Sequence, residues 1–326
     1  MKAALHDTFG EPIDVLKTTE TDKPTPAAGE VLVKMTLSPI HNHDLWTIRG
    51  TYGYKPELPG VIGGSEALGT IEAVGEGVDA AMIGKRVTIA GVHGTWAEYF
   101  VAPADGVLPL PDAISDTAGA QLIAMPFSAI SLLETLKAKK GDWIIQTAAN
   151  GAVGKIMVTL AKARGINLLS LVRRQEAAKE LTDMGIENVL STSDADWQKK
   201  ARDIVGAGGA VSAIDSVGGD VSADLVDLLG TDGELVVFGT ATGAPMPLSS
   251  GALIMKHITV KGFWGARVSK DMDPEERKRL ITELVTLTAK GELVLEDGGA
   301  FALDDVAQAM TAALTPGRAG KVMIRG

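Results

Sequence analysis

Between residues 143 and 172 apolar runs flank a stretch with helical spacing. Trp143-Ile144-Ile145 is a continuous apolar run, Ile156 to Ala163 repeats apolar residues on one helix face, and Leu168 to Val172 is apolar again. This pattern predicts a β-α-β unit. Further apolar runs follow at Asn188–Leu190, Val211–Asp215, Leu235–Phe238 and Ile258–Lys261. With Trp143–Thr147 and Ile166–Val172 they make six predicted strands, the earlier ones separated by helical stretches. The expected architecture of 121–263 is therefore α/β, a doubly wound parallel sheet.

Residues 1–120 have a different texture. Short alternating runs, Val31-Leu32-Val33-Lys34-Met35, Ala67 to Val74 and Arg86-Val87-Thr88-Ile89, are bounded by turn signals at Gly75-Glu76-Gly77 and Pro109-Leu110-Pro111. They predict a compact β-rich domain. The tail, 264–326, carries an amphipathic helix at Pro274–Lys290 and ends in a strand at Lys321–Ile324. Its texture matches the first segment, so 1–120 and 264–326 are expected to form one discontinuous domain. A length of 326 residues suits two domains.

The turn before the 156–163 helix carries the first candidate chemistry. Ala149-Asn150-Gly151-Ala152-Val153-Gly154 reads A-x-G-x-x-G, with Ala149 in place of the usual first glycine. Small residues there let the backbone approach a pyrophosphate at a helix N-terminus. NAD sites usually place an acid roughly 20 positions past the glycines. Arg173 and Arg174 stand there instead. A guanidinium pair suits a 2′-phosphate. The expectation is NADPH, held by Asn150, Gly151, Ala152, Val153, Gly154, Arg173 and Arg174. The same residues also read as a ligand-free turn followed by two solvated arginines.

Composition narrows the classes. A formal net charge of −10 argues against nucleic acid. No cysteine is present, which removes disulfides and thiolate-bound metal. No apolar run approaches the roughly 18–20 residues of a membrane helix. The start at Met1 lacks a signal-like apolar core, and a cytoplasmic protein is expected.

Several motifs together resemble the medium-chain dehydrogenase/reductase superfamily: Gly63-Gly64-Ser65-Glu66, Glu72 to Val78, Gly84-Lys85-Arg86-Val87, the cofactor turn and the closing Gly317-Arg318-Ala319-Gly320-Lys321-Val322. The resemblance implies a GroES-like catalytic domain with an inserted Rossmann domain, an active site in the cleft between them, and Lys321 among the cofactor-binding residues. Zinc-dependent members ligate catalytic zinc through a Cys, a loop His and a later Cys or Asp. Here those positions carry His41, Ser65 and a residue near Ala124. No metal is expected, although His41, His43 and Glu66 retain donor atoms.

The segment Asp44-Leu45-Trp46-Thr47-Ile48-Arg49-Gly50-Thr51-Tyr52-Gly53 and the run Lys261-Gly262-Phe263-Trp264 resemble the zinc-free 2-enoyl thioester reductases of mitochondrial type. That resemblance implies that Tyr52 donates a proton or orients the substrate and that Trp264 lies near the same pocket. His41 stands where zinc-free relatives carry Asn, and is a third catalytic candidate. Read without the resemblance, Tyr52 and Trp264 are also packing aromatics. The leading expectation is an NADPH-dependent enzyme that reduces an activated C=C without metal. An NADPH:quinone oxidoreductase and a non-catalytic NADPH-binding redox sensor are the alternatives. The apolar edge strand ending at Phe263 is expected to pair with its two-fold mate in a homodimer.

Overall fold

A computed structural model describes residues 1–136 and 138–326. They form two compact units, Met1–Ala124 with Glu283–Gly326, and Met125–Thr282. Sequence texture put these junctions at 120/121 and 263/264. The later second junction has a local cause. Helices Gly265–Asp271 and Pro274–Ala289 follow Trp264. The Arg277 guanidinium lies over the Phe127 ring, and Arg279 pairs with Glu134. These contacts tie residues up to 282 to the helix Ala124–Thr135.

The unit Met125–Thr282 is built on a six-stranded parallel sheet. Its strands run in the spatial order Val189–Ser191, Asn167–Val172, Trp143–Gln146, Ala210–Asp215, Leu229–Val237, Thr259–Gly262. Central strands buried on both faces need apolar residues throughout, and Ile145, Leu169, Ala213 and Leu235 are fully buried. The order reverses between Trp143–Gln146 and Ala210–Asp215, the place where sheets of this kind leave a ligand crevice. One strand differs from expectation. Leu229–Val237 begins six residues before Leu235, through Gly230-Thr231-Asp232-Gly233, which reads as a turn. Asp232 takes a left-handed φ of 60° there, and the register slips beside Ala210.

The other unit centres on the ten-residue strand Glu30–Pro39. Along one edge it pairs with Glu66–Val74. Tyr99–Pro103 pairs with its first half, and Lys321–Arg325 with Leu37–Pro39, so the chain's end joins the N-terminal sheet. Pro109 does not turn as expected: Leu108–Pro109 is a short edge strand paired with Val87 and Thr88. A proline is tolerated at an edge because no ladder N–H is needed from it. Trp96 is fully buried against the Gly63-Gly64 backbone, where a Cβ on Gly63 would lie 2.3 Å from the indole. Gly64 has φ +89°, which favours glycine. This close approach aims the next two residues, Ser65 and Glu66.

Candidate active site

The first unit holds a buried acid–imidazole pair. His41 precedes the helix Asn42–Ile48, and its backbone N–H donates to Asp44 Oδ2 at 2.9 Å. Glu66 opens the strand Glu66–Val74. Its Oε2 lies 2.7 Å from His41 Nε2, and both side chains are fully buried. Oε1 accepts the backbone N–H groups of Ile123 at 2.7 Å and Ala124 at 2.8 Å. Burial pushes the Glu66 carboxyl up to about 8, against the pull of those two amides and of His43. Burial also holds His41 well below its ordinary value, helped by Lys321. Both directions favour the neutral pair over an ion pair. His41 Nδ1 has no partner among the described residues. Lys321 is itself buried and pushed down to about 8 by burial and by Arg318.

These residues test the zinc site that the fold implies. Ser65 uses its hydroxyl to donate to Asp44 Oδ1 at 2.6 Å. Ala124 offers only its amide, and His41 Nε2 is engaged by Glu66. Among the described residues no group of three or more His, Cys, Asp or Glu is placed to hold a metal ion. The donor set does not fit zinc.

Beside the pair lies a small pocket of roughly 80 Å³, lined by His43, Asp44, Tyr52, Tyr54, Ser65 and His93 among others. Tyr52 is half-buried, its ring 5.9 Å from His43 and 6.3 Å from Trp46. Tyr54 stacks on His93 at 4.2 Å. Sequence reading named Tyr52 and His41 but not His93, Tyr54 or the Ser65–Asp44 bond. Those depend on contacts across 21 residues and more, which spacing does not encode.

The second unit holds the candidate cofactor loop. The helix Ala152–Ala163 starts after Gly151, and its first bonded amide is Lys155, to Gly151 O. The N–H groups of Ala152, Val153 and Gly154 therefore precede the helical ladder. A Cβ on Gly154 would lie 2.6 Å from the Ala149 carbonyl oxygen, so only glycine lets helix and loop pack so closely. Ala148 turns the loop with a left-handed φ of 52°. Asn150 and Gly151 are exposed. Arg173 and Arg174, also exposed, follow the neighbouring strand Asn167–Val172. This arrangement fits a dinucleotide with a 2′-phosphate. Trp264 is exposed and lines a separate open pocket of roughly 700 Å³ with Phe263, Arg267 and Met272.

Residues 27–112 match the alcohol dehydrogenase GroES-like domain, and 152–285 match the family described as zinc-binding dehydrogenase. The chain is similar to the mitochondrial enoyl-[acyl-carrier-protein] reductase of Caenorhabditis elegans, at 32% identity over 94% of this chain and 88% of the relative. The chain belongs to the medium-chain dehydrogenase/reductase superfamily. It is an oxidoreductase with the superfamily's GroES-like and Rossmann-type parts. A crystal structure from Bacillus thuringiensis, of a protein provisionally named NADPH:quinone reductase, matches with TM-score 0.92 and 28% identity over 100% of this chain and 98% of that one. The Escherichia coli quinone oxidoreductase complexed with NADPH matches with TM-score 0.86 and 26% identity over 100% of both chains. Despite the name of the second family, Ser65 and Ala124 offer this member no good zinc donor, and His41 Nε2 is engaged by Glu66.

The His41–Glu66 pair has a consequence for stability. In the fold it is neutral overall and carries one titratable proton. Unfolded, Glu ionises at its ordinary 4.5 and His loses its charge at 6.5. Between those values the unfolded pair is neutral too, so the pair adds no slope. Above 6.5 the unfolded pair holds one proton fewer than the folded pair, so stability falls until the folded carboxyl ionises near 8. The fall is at most about 2 kcal/mol. Below 4.5 the unfolded pair takes up a proton the fold refuses, and stability falls again. Glu66→Gln keeps the hydrogen bonds of the protonated acid and cannot titrate. Urea unfolding at intervals from pH 6.5 to 8 should show a decline in the parent that is flattened in Glu66→Gln. Equal slopes would place the proton elsewhere.

Proposed function

We propose that this oxidoreductase uses NADPH to reduce an activated C=C bond, in a 2-enoyl thioester or a related α,β-unsaturated carbonyl. The observation that carries the reading is a pocket presenting the Tyr52 phenol beside residues unfit to hold zinc. Alcohol oxidation needs help at oxygen that such a site does not give, whereas a conjugated carbonyl already accepts hydride at its far carbon. The name of the Caenorhabditis elegans relative, an enoyl reductase, supports the same substrate class. A second reading, quinone reduction, is favoured by the names of the Bacillus and Escherichia coli structures. Crotonyl-CoA and a naphthoquinone separate the two: faster NADPH oxidation with the quinone would overturn the first.

When bound, NADPH supplies a hydride. The amides of Ala152, Val153 and Gly154 would hold the pyrophosphate, with Asn150 and Gly151 at the turn. Arg173 and Arg174 would grip the 2′-phosphate, and Lys321 would supply a further cation to the cofactor. Tyr52 donates a hydrogen bond to the carbonyl oxygen, where negative charge grows as the hydride arrives. A donor placed there favours the transition state over the neutral substrate. His41 stays neutral beside Glu66 and shapes the floor beneath His43.

Assembly belongs to the same reading. Among the described residues Thr259–Gly262 is a sheet edge paired only with Leu229–Val237, and the helix before it exposes Ile254 and Met255 at 75% and 82%. A homodimer that continues the sheet across this edge covers both. Light scattering at micromolar concentration should give twice the chain mass, and a monomer would contradict it.

Two substitutions test the roles directly. NADPH should bind at least about tenfold tighter than NADH, about 1.4 kcal/mol, and Arg173→Ala should narrow the gap. Equal dissociation constants in the parent protein would remove the 2′-phosphate site. Tyr52→Phe keeps the ring and deletes the donor. It should lower kcat on the unsaturated thioester by roughly tenfold to a thousandfold, with NADPH affinity unchanged. Full activity would make Tyr52 a packing residue.

A further inference from the structure

Reduction of a C=C bond needs a proton at carbon as well as a hydrogen bond at oxygen, and Tyr52 accounts for only the second. His43 lines the same pocket as Tyr52, with a quarter of its side chain exposed. Its Nε2 lies 2.8 Å from Ser65 Oγ, and Ser65 Oγ donates to Asp44 Oδ1 at 2.6 Å. Asp44 Oδ2 accepts the His41 backbone N–H, which requires an acceptor there. A serine hydroxyl has one proton to give. Because Ser65 gives it to Asp44, Ser65 must accept from His43, and His43 Nε2 is fixed as an N–H. The chain of bonds is His43 to Ser65 to Asp44. It is the reverse of a nucleophilic serine arrangement, since the serine proton points away from the imidazole.

This tautomer leaves Nδ1 as the one ring position able to take up and release a proton. No described residue hydrogen-bonds it. The ring is held in place from both sides, by Ser65 at Nε2 and by His41, stacked at 5.0 Å and 15°. Asp44 stands behind it, Oδ1 3.6 Å from Nε2, and can balance a positive ring. An oriented, partly exposed imidazole on the wall of a small opening, with one ring nitrogen that no described residue hydrogen-bonds, is arranged as a general acid.

We propose that His43 is a further catalytic residue, the acid that protonates the substrate carbon next to the carbonyl. The inference rests on the C=C reductase reading above. Hydride adds to the carbon β to the thioester carbonyl and brings two electrons. The C=C π pair moves toward the carbonyl, giving an enolate whose oxygen Tyr52 holds. A C–H bond then forms at the α carbon, the Nδ1–H bond of the imidazolium breaks, and its electron pair stays on Nδ1. Water returns the proton to His43 between turnovers.

The test uses the full chain with NADPH and crotonyl-CoA. His43→Gln sets an amide nitrogen near the position of Nε2, so the contact to Ser65 is kept while the acid is lost. It should lower kcat roughly a hundredfold or more, leave the NADPH dissociation constant unchanged, and raise the solvent deuterium isotope effect on kcat. His43→Ala should regain activity when free imidazole is added, and Tyr52→Phe should not. A merely structural His43 would give neither the isotope effect nor the rescue. If His43→Gln keeps kcat within about twofold, or imidazole leaves His43→Ala unchanged, the proposal is wrong while the reductase reading stands. If the parent protein reduces quinones but no unsaturated thioester, that reading fails and the carbon-acid role fails with it.

Discussion

The site depends on a fully buried carboxyl group that has no hydrogen-bonded cation among the described residues. Glu66 has no exposed surface, and the side chain it hydrogen-bonds among the described residues, His41, is as deeply buried. Leaving such a group charged would cost several kcal/mol in desolvation, so the fold keeps it protonated and satisfies every oxygen. Three segments meet through it. Glu66 opens one strand, His41 leads the helix Asn42–Ile48, and the Ile123 and Ala124 amides begin the passage into the next unit. The tight Gly63-Gly64 backbone against Trp96 fixes where that carboxyl points.

The chemistry follows from how those positions are filled. A site with Ser65 and Ala124 among its three positions cannot act as a Lewis acid through zinc. It uses the same backbone to hold protons instead. Ser65 and Asp44 orient an imidazole, burial keeps the His41–Glu66 pair beneath it neutral, and Tyr52 adds an uncharged donor to the same opening. In the proposed mechanism several weaker proton donors stand in place of one strong electrophile, a trade suited to acceptors that are already activated. The Rossmann unit carries the complementary task through backbone geometry, where Gly154 permits a contact that a methyl group would block.

The sequence displayed the parallel sheet clearly because its strands are buried on both faces and read as unbroken apolar runs, from Ile144-Ile145 to Leu168–Val172. It also displayed the tight turn at 149–154, the candidate cofactor loop, which is local. The start of Leu229–Val237 was hidden, since Gly230 and Gly233 carry turn chemistry that pairing with Ala210–Asp215 overrides. Pro109 was hidden for the converse reason, an edge strand that tolerates proline. The second unit junction depends on Arg277 and Arg279 reaching back to Phe127 and Glu134, contacts about 145 residues apart in the chain. The candidate site was legible as residue types, His41, Tyr52 and Glu66, but not as bonds. Nothing in the spacing says that His41 meets Glu66, or that Ser65 turns its proton toward Asp44 and so fixes the tautomer of His43.

The neutral His41–Glu66 pair can be seen directly. Infrared difference spectroscopy of the protein at pH 7, with Glu66→Gln as the reference, isolates the Glu66 carboxyl. The account predicts a C=O stretch of a protonated carboxylic acid in the parent protein that is missing from the variant. Carboxylate bands alone at that pH would mean that Glu66 is ionised, and would contradict it.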